Sequence, residues 1–179
     1  MNKILNKLEK TQKQFWNISR EVGIFLHTLI KETKIKKILE IGTSNGYSAI
    51  WMASALKETG GHLYTMESNK RIRYPLALQN IQAAGLQEQI TAILGHAPQD
   101  LPTLPKTFDL IFLDATKHEH LSYLEALLPR TRKGSIIITD NALSHQKELS
   151  PYLKAVQTNP KLKTSILNIG TGLAISLRA

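Results

Sequence analysis

Residues 36–58, KKILEIGTSNGYSAIWMASALKE, decide the fold. The run Ile38–Ile41 is short and apolar and stops at Gly42, which predicts a strand buried on both faces. Beyond Gly46 the segment YSAIWMASALKE reads as a helix. The unit is therefore strand, glycine-bounded turn, helix. Glycine lets such a turn close tightly and lets backbone approach a ligand.

The same alternation continues outward in both directions. Downstream, HLYTME (62–67), QITAILG (89–95), FDLIFLDA (108–115) and SIIITDNA (135–142) read as strands. Helices are expected over 69–84, ended by Gly85, and over 146–157, with Pro160 barring continuation. HLSYLEALLPRTRKG (120–134) reads as a helix and its stop. LKTSILNIG and GLAISLR form two further strands. Their short link through Gly170, Thr171 and Gly172 predicts an antiparallel hairpin. Upstream, residues 3–16 look helical, with Ile4, Leu8 and Phe15 on one side. Ser19 is placed to cap a second helix over 20–33. The expectation is one domain over 1–179, a helical segment (1–34) leading into an α/β core (35–179). Its sheet is doubly wound, mostly parallel and seven-stranded, ending in an antiparallel hairpin.

Composition bounds the function. The 179 residues contain no cysteine, which excludes disulfide scaffolds, thiolate zinc sites and cysteine nucleophiles. No apolar run reaches the roughly 18 residues of a membrane helix. The start, MNKILNKLEKTQKQF, lacks an export signal's apolar region, so a cytoplasmic location without membrane contact is expected. The net charge is +9. Residues 1–37 hold nine Lys/Arg against three Asp/Glu, so most of the excess is N-terminal. That stretch is either a solvated helix face or an attraction for nucleic acid, RNA included, or for an anionic surface.

In a doubly wound sheet the ligand lies beyond the carboxyl ends of the strands. The first strand ends in Glu40-Ile41-Gly42-Thr43-Ser44-Asn45-Gly46-Tyr47-Ser48. Its G-x-x-x-G spacing is neither the dinucleotide fingerprint nor a phosphate loop. Glu40 would repel a phosphate but could hold an ammonium group, while a helix N-terminus suits a carboxylate. The second strand ends at Glu67, where an acid can accept both hydroxyls of a ribose; the alternative is a solvated strand-end carboxylate. Together these describe a nucleoside with an amino-acid tail, which S-adenosylmethionine fits. The fourth strand ends at Asp114, followed by Lys117, and the fifth at Asp140-Asn141. If those strands are adjacent, three oxygen donors converge in a hard site for magnesium, manganese or calcium. The alternative is that both aspartates are helix caps or loop carboxylates.

ILEIGTSNGYSAIWMA (38–53), YTMESN (64–69), FDLIFLDATK (108–117) and ITDNALS (138–144), in this order, resemble the metal-dependent, S-adenosylmethionine-using O-methyltransferase family. That family includes the catechol and caffeoyl-coenzyme A enzymes and has a Rossmann-like fold. NISREVGIFL (17–26) resembles the family segment that closes over the cofactor. The resemblance implies a cofactor site of Glu40, Gly42, Thr43, Ser44, Gly46, Tyr47 and Ser48 around the methionine end, with Ser48 near its carboxylate. It implies Glu67 and Ser68 at the ribose, His96 and Ala97 at the adenine, and Ile18 and Ser19 packing from the N-terminal side. Asp114, Asp140 and Asn141 would bind the metal, Asp114 also lying beside the cofactor. Lys117 would be the general base. A salt bridge from Lys117 to Asp114 or Glu119 is the alternative.

The implied reaction moves a methyl group to a metal-chelated hydroxyl of a small catechol-like or phenolic acceptor. An RNA-modifying enzyme acting on a hydroxylated base and a cofactor-binding protein without turnover are the other readings. Relatives are often dimers, so a homodimer is expected. Many are also longer, so the acceptor pocket here is expected to be open, and His96 stands where relatives frequently carry aspartate. His118 and His120 are expected on a solvent-facing first helical turn, and His145 in a plain loop, with contact to the acceptor as its alternative. Trp16, Trp51, Tyr47 and Tyr123 read first as packing residues; Tyr47 or Trp16 could alternatively stack on a flat acceptor.

Overall fold

The computed structural model describes residues 2–101 and 104–179. Helices α1 (Asn2–Glu9), α2 (Gln12–Phe15) and α3 (Arg20–Thr33) precede β1 (Lys37–Ile41). Then follow α4 (Tyr47–Thr59), β2 (His62–Glu67), α5 (Arg73–Ala84), β3 (Ile90–Leu94) and β4 (Phe108–Leu113). Next come α6 (His120–Leu127), β5 (Thr131–Thr139), α7 (Ser150–Thr158), β6 (Leu162–Leu167) and β7 (Leu173–Arg178). The seven strands form one sheet in the order β3-β2-β1-β4-β5-β7-β6. The first five are parallel, and β7 runs antiparallel to both β5 and β6. The expected hairpin is present, with its second strand inserted beside β5. No helix among the described residues is long and apolar enough to cross a membrane.

Strand periodicity divides the core. Ile38, Leu110, Phe112 and Ile138 face a cluster with Leu5, Val22, Leu26, Ile50 and Leu56. Leu39, Ile41, Ile111, Leu113 and Ile137 face another with Phe108, Tyr123 and Tyr152. The registers align the strand ends: Ile41 lies opposite both Met66 and Leu113, and Leu113 opposite Thr139. Residues 42, 67–68, 114 and 140 consequently emerge on one rim.

Four boundaries differ from the sequence expectation, each for a local reason. The helix expected over 3–16 breaks after Glu9, where the Thr11 hydroxyl (2.7 Å) and the Asn17 amide (3.0 Å) both donate to the Leu8 carbonyl. Polar side chains compete here with the helical ladder. Residues 69–72 are a turn rather than helix, because Asn69 Oδ1 accepts from the amides of Ile72 and Arg73. Thr131–Gly134 belong to β5 rather than a helix stop. Their extra length is absorbed where the register shifts between Phe108 and Leu110, and Ser135 Oγ donates to the Phe108 carbonyl there. Finally, α7 starts at Ser150, with Pro151 in its first turn, where a missing N–H costs nothing.

Candidate active site

The turn after β1 is shaped by contact with the end of β4. Gly42 has φ +104, and a Cβ there would lie 2.3 Å from the Asp114 carbonyl oxygen. Ser44, also left-handed at φ 50, joins three elements. Its amide donates to Glu67 Oε2 at 2.9 Å, and its hydroxyl donates to the Phe15 carbonyl at 2.7 Å. Glu67 Oε1 accepts from the Asn69 amide at 2.8 Å and lies 3.4 Å from Arg73 Nε. Each carboxylate oxygen can accept more than one hydrogen bond, so Glu67 retains capacity for a ligand hydroxyl.

These groups edge a cavity of about 380 Å³. Of the residues singled out in the sequence, Gly42, Ser44, Glu67, Ser68, His96, Ala97, Asp114, Lys117 and Asn141 line it. Ile18, Ser19, Glu40, Thr43, Gly46, Tyr47, Ser48 and Asp140 do not. Ile18 is core, and Ser19 caps α3 by accepting from the Val22 amide. Gly46 caps α4. The Thr43 hydroxyl is paired with that of Thr65. Tyr47 is buried, with its hydroxyl on Glu9 at 2.8 Å, so it is no stacking surface. Ser48 donates to Glu40 rather than facing the cavity.

Glu40 is wholly buried and accepts from the hydroxyls of Ser48 and Thr65. Burial pushes its carboxyl up to about 7, the two hydroxyls opposing and the charges of Asp114 and Glu67 adding. An unfolded chain loses this proton near 4.5, whereas the folded chain keeps it to about 7. Stability contributed by Glu40 therefore falls as pH rises through that window, by about 3 kcal/mol in all. Glu40→Gln keeps an oxygen acceptor and removes the titration. In cofactor-free melts its Tm should gain on the parent's from pH 4.5 to 7. A pH-independent difference would show that the carboxyl is not raised.

At the other end of the cavity, Lys117 Nζ donates to Asp114 Oδ1 at 2.8 Å. Of the two ion-pair alternatives, this is the partner present. Glu119 instead accepts from the Tyr123 hydroxyl and lies 3.3 Å from His96 Nε2. Burial pushes Asp114 up to about 6, Lys117 opposing and Asp140 adding. Burial also raises Asp140, whose Oδ1 accepts from the Thr171 hydroxyl at 2.8 Å. Asn141, left-handed at φ 65, anchors its amide nitrogen on the same hydroxyl at 3.0 Å, so its oxygen remains available. A half-buried and a buried carboxylate, the first raised partly by the second, beside a free amide oxygen fit a hard divalent cation. Among the described residues no cluster of three or more His, Cys, Asp or Glu could hold a metal. A cation held here by three protein donors would have to take Asn141 as the third.

Sequence reasoning missed Phe15 and Arg73 as cavity walls, and His145, read first as a plain loop residue, lines the cavity as well. Phe15 reads as the inner face of a helix, and Arg73 as an ordinary helix cation; neither carries a local signal. His120 overturns the solvent-facing expectation, whereas His118 is exposed as expected. His120 is fully buried between Tyr123 and Tyr152, with Nδ1 3.0 Å from the Thr116 carbonyl. Burial, then the charge of Lys117, push it down to about 4, so the ring is neutral. Helix α6 enters the core one turn earlier than its polar first residues suggest.

The O-methyltransferase family profile matches residues 1–179. A catechol O-methyltransferase of Niastella koreensis is 36% identical over 148 residues, covering 80% of this chain and 66% of that protein. One of Mycobacterium tuberculosis is 33% identical over 127 residues, covering 70% of this chain and 57% of its own length. The chain thus spans less than two thirds of either. Caffeoyl-CoA O-methyltransferase 2 of Populus trichocarpa is 31% identical over 200 residues, covering 95% of this chain and 79% of that protein. Among solved structures, the O-methyltransferase TomG of Streptomyces achromogenes, in complex with SAM, superposes with a TM-score of 0.85 at 26% identity, covering 98% of this chain and 89% of its own. The Bacillus cereus O-methyltransferase, in complex with SAH, gives 0.86 at 24% identity, covering 99% and 91%, a likeness of fold. A whole-length profile match and an acid-tipped second strand over a shared cavity agree: this chain belongs to the O-methyltransferase family.

Proposed function

We propose that this chain transfers the methyl group of S-adenosylmethionine to a hydroxyl of a small catechol-like or phenolic acceptor, with a divalent cation held by Asp114, Asp140 and Asn141. The observation that carries this reading is one cavity with Glu67 towards one end and the Lys117–Asp114 pair with Asn141 towards the other. Glu67 takes the ribose hydroxyls, while Ser44 fixes its carboxylate. The cation, when bound, supplies Lewis acidity that lowers the acceptor hydroxyl's pKa. Acting as the neutral amine, Lys117 Nζ takes the hydroxyl proton and, as the ammonium so formed, holds it against Asp114. The acceptor oxygen attacks the methyl carbon as the carbon–sulfur bond breaks, leaving a neutral thioether. Holding both reactants in one cavity provides much of the acceleration.

The test is methyl transfer from radiolabelled S-adenosylmethionine to catechol and hydroxycinnamoyl acceptors. Turnover should vanish with chelator and return with magnesium. Equal rates in chelator would sink the metal role. The RNA reading retains one supporting observation: Lys3, Lys7, Lys10 and Lys13 are all exposed, on the segment leading to the cavity. Under that reading label enters bulk RNA, and reversing those four charges weakens salt-sensitive binding.

A further inference from the structure

The turns after β3 and β4 leave the sheet at separate places. Strands β2 and β1 lie between β3 and β4, so their ends stand about 14 Å apart. Two side chains nevertheless meet across that gap. His96, just beyond β3, brings Nε2 to 3.3 Å from Glu119 Oε2. Glu119 ends the 3-10 turn Lys117–Glu119, which carries the lysine that pairs with Asp114.

The other side-chain bonds of this turn are local. Lys117 reaches back to Asp114, His120 Nδ1 lies on the Thr116 carbonyl, and Glu119 accepts from Tyr123 further along the same segment. Such bonds shape the turn from within. His96 reaches it from another strand. His96 and Lys117 both line the cavity, and Glu119 lies outside its lining. The residue at position 96 decides the sign of the contact. The aspartate that relatives frequently carry would set a second carboxylate against Glu119, whereas an imidazole attracts it.

We propose that His96 is a positioning residue for methyl transfer: through Glu119 it holds the Lys117 turn in the pose that takes the acceptor proton. The tie joins the wall at the nucleoside end of the cavity to the base at the other end. It gives His96 a task other than the adenine contact that the family resemblance implies. It rests on the reading of Lys117 as general base. Both partners are partly exposed, His96 by 41% and Glu119 by 29%, so the pair adds little to folding stability. Its loss should appear in the rate and not in the melting curve.

The experiment measures catechol turnover with magnesium. Glu119→Ala should lower kcat about fivefold, the shift that one such ion pair allows. Its S-adenosylhomocysteine Kd should stay within about twofold and its Tm within about 3 °C. His96→Asp, which adds repulsion, should lower kcat about tenfold. Combining His96→Asp with Glu119→His restores opposite partners across the same gap and should recover most of that loss. In a Lys117→Met background, Glu119→Ala should have no further effect, because no base remains to be positioned. A residue that only supports the fold would show neither the exchange rescue nor this dependence on Lys117. An unchanged kcat in Glu119→Ala, an exchanged pair as slow as His96→Asp, or a Glu119→Ala loss that persists in full without Lys117 would overturn the positioning role alone. A parent that turns over no hydroxyl acceptor, or a Lys117→Met variant as fast as the parent, would overturn the functional reading and this inference with it.

Discussion

Replacing Lys117 with methionine should lower kcat for a catechol acceptor by about 10²–10⁴-fold, the range of a lost general base. The S-adenosylmethionine Kd should hold within about twofold. Methionine keeps most of the aliphatic stem and removes the amine. A second effect follows from the ion pair. Asp114 stands at about 6 while Lys117 opposes the upward push of burial. Without that cation its carboxyl goes higher still, so protons compete more strongly with the divalent cation and the magnesium requirement steepens at acid pH. Lys117→Arg separates the two roles. Arginine supplies the counter-charge but stays protonated. It should restore the magnesium dependence and not the rate. Restoration of both would mean that Lys117 acts by charge alone.

Gly42→Ala should be the most damaging substitution of a single methyl group. Its Cβ would lie 2.3 Å from the Asp114 carbonyl oxygen and 2.7 Å from the carbonyl carbon. Both are backbone atoms, so relief requires β1 and β4 to separate at their carboxyl ends. The positive φ adds strain of its own. A loss of about 3 kcal/mol or more in urea unfolding is expected. Separation also moves Asp114 and Lys117 relative to Ser44 and Glu67. Misplacement by about 1 Å is enough for a hundredfold loss of turnover. Gly85→Ala is the control: its φ is +66, but nothing lies within 4 Å of the added atom. It should cost about 1 kcal/mol and leave activity alone. If Gly42→Ala behaves like Gly85→Ala, the close approach of the two strand ends does not govern the site.

The strands were legible because a strand buried on both faces is a short apolar run with abrupt polar ends. The same abruptness exposed Glu67 and Asp114, each the first polar group at or beyond the end of such a run, with Lys117 three residues after Asp114. What spacing could not supply was depth. Glu40, Tyr47 and Ser48 share the glycine turn's neighbourhood, yet each finds its partner inside the protein: Glu40 on two hydroxyls, Tyr47 on Glu9, and Ser48 on Glu40. His120 fails the same way, because its burial depends on Tyr152, 32 positions downstream. The N-terminal break escaped because periodicity weighs apolar positions. It was decided by two polar side chains that claim one carbonyl.

The insertion of β7 between β5 and β6 orders assembly in time. Asp140 and Asn141 leave the ribosome well before Thr171, which holds both side chains, and before Leu173–Arg178, which covers the open edge of β5. Until then β5 is an unpaired border able to recruit another strand. Closing so distant a pairing is also slow relative to local helix formation. The Asp140–Asn141 corner is therefore the last part of the sheet to be secured during synthesis, and a nascent chain stalled before residue 170 carries both side chains on an unfinished ledge.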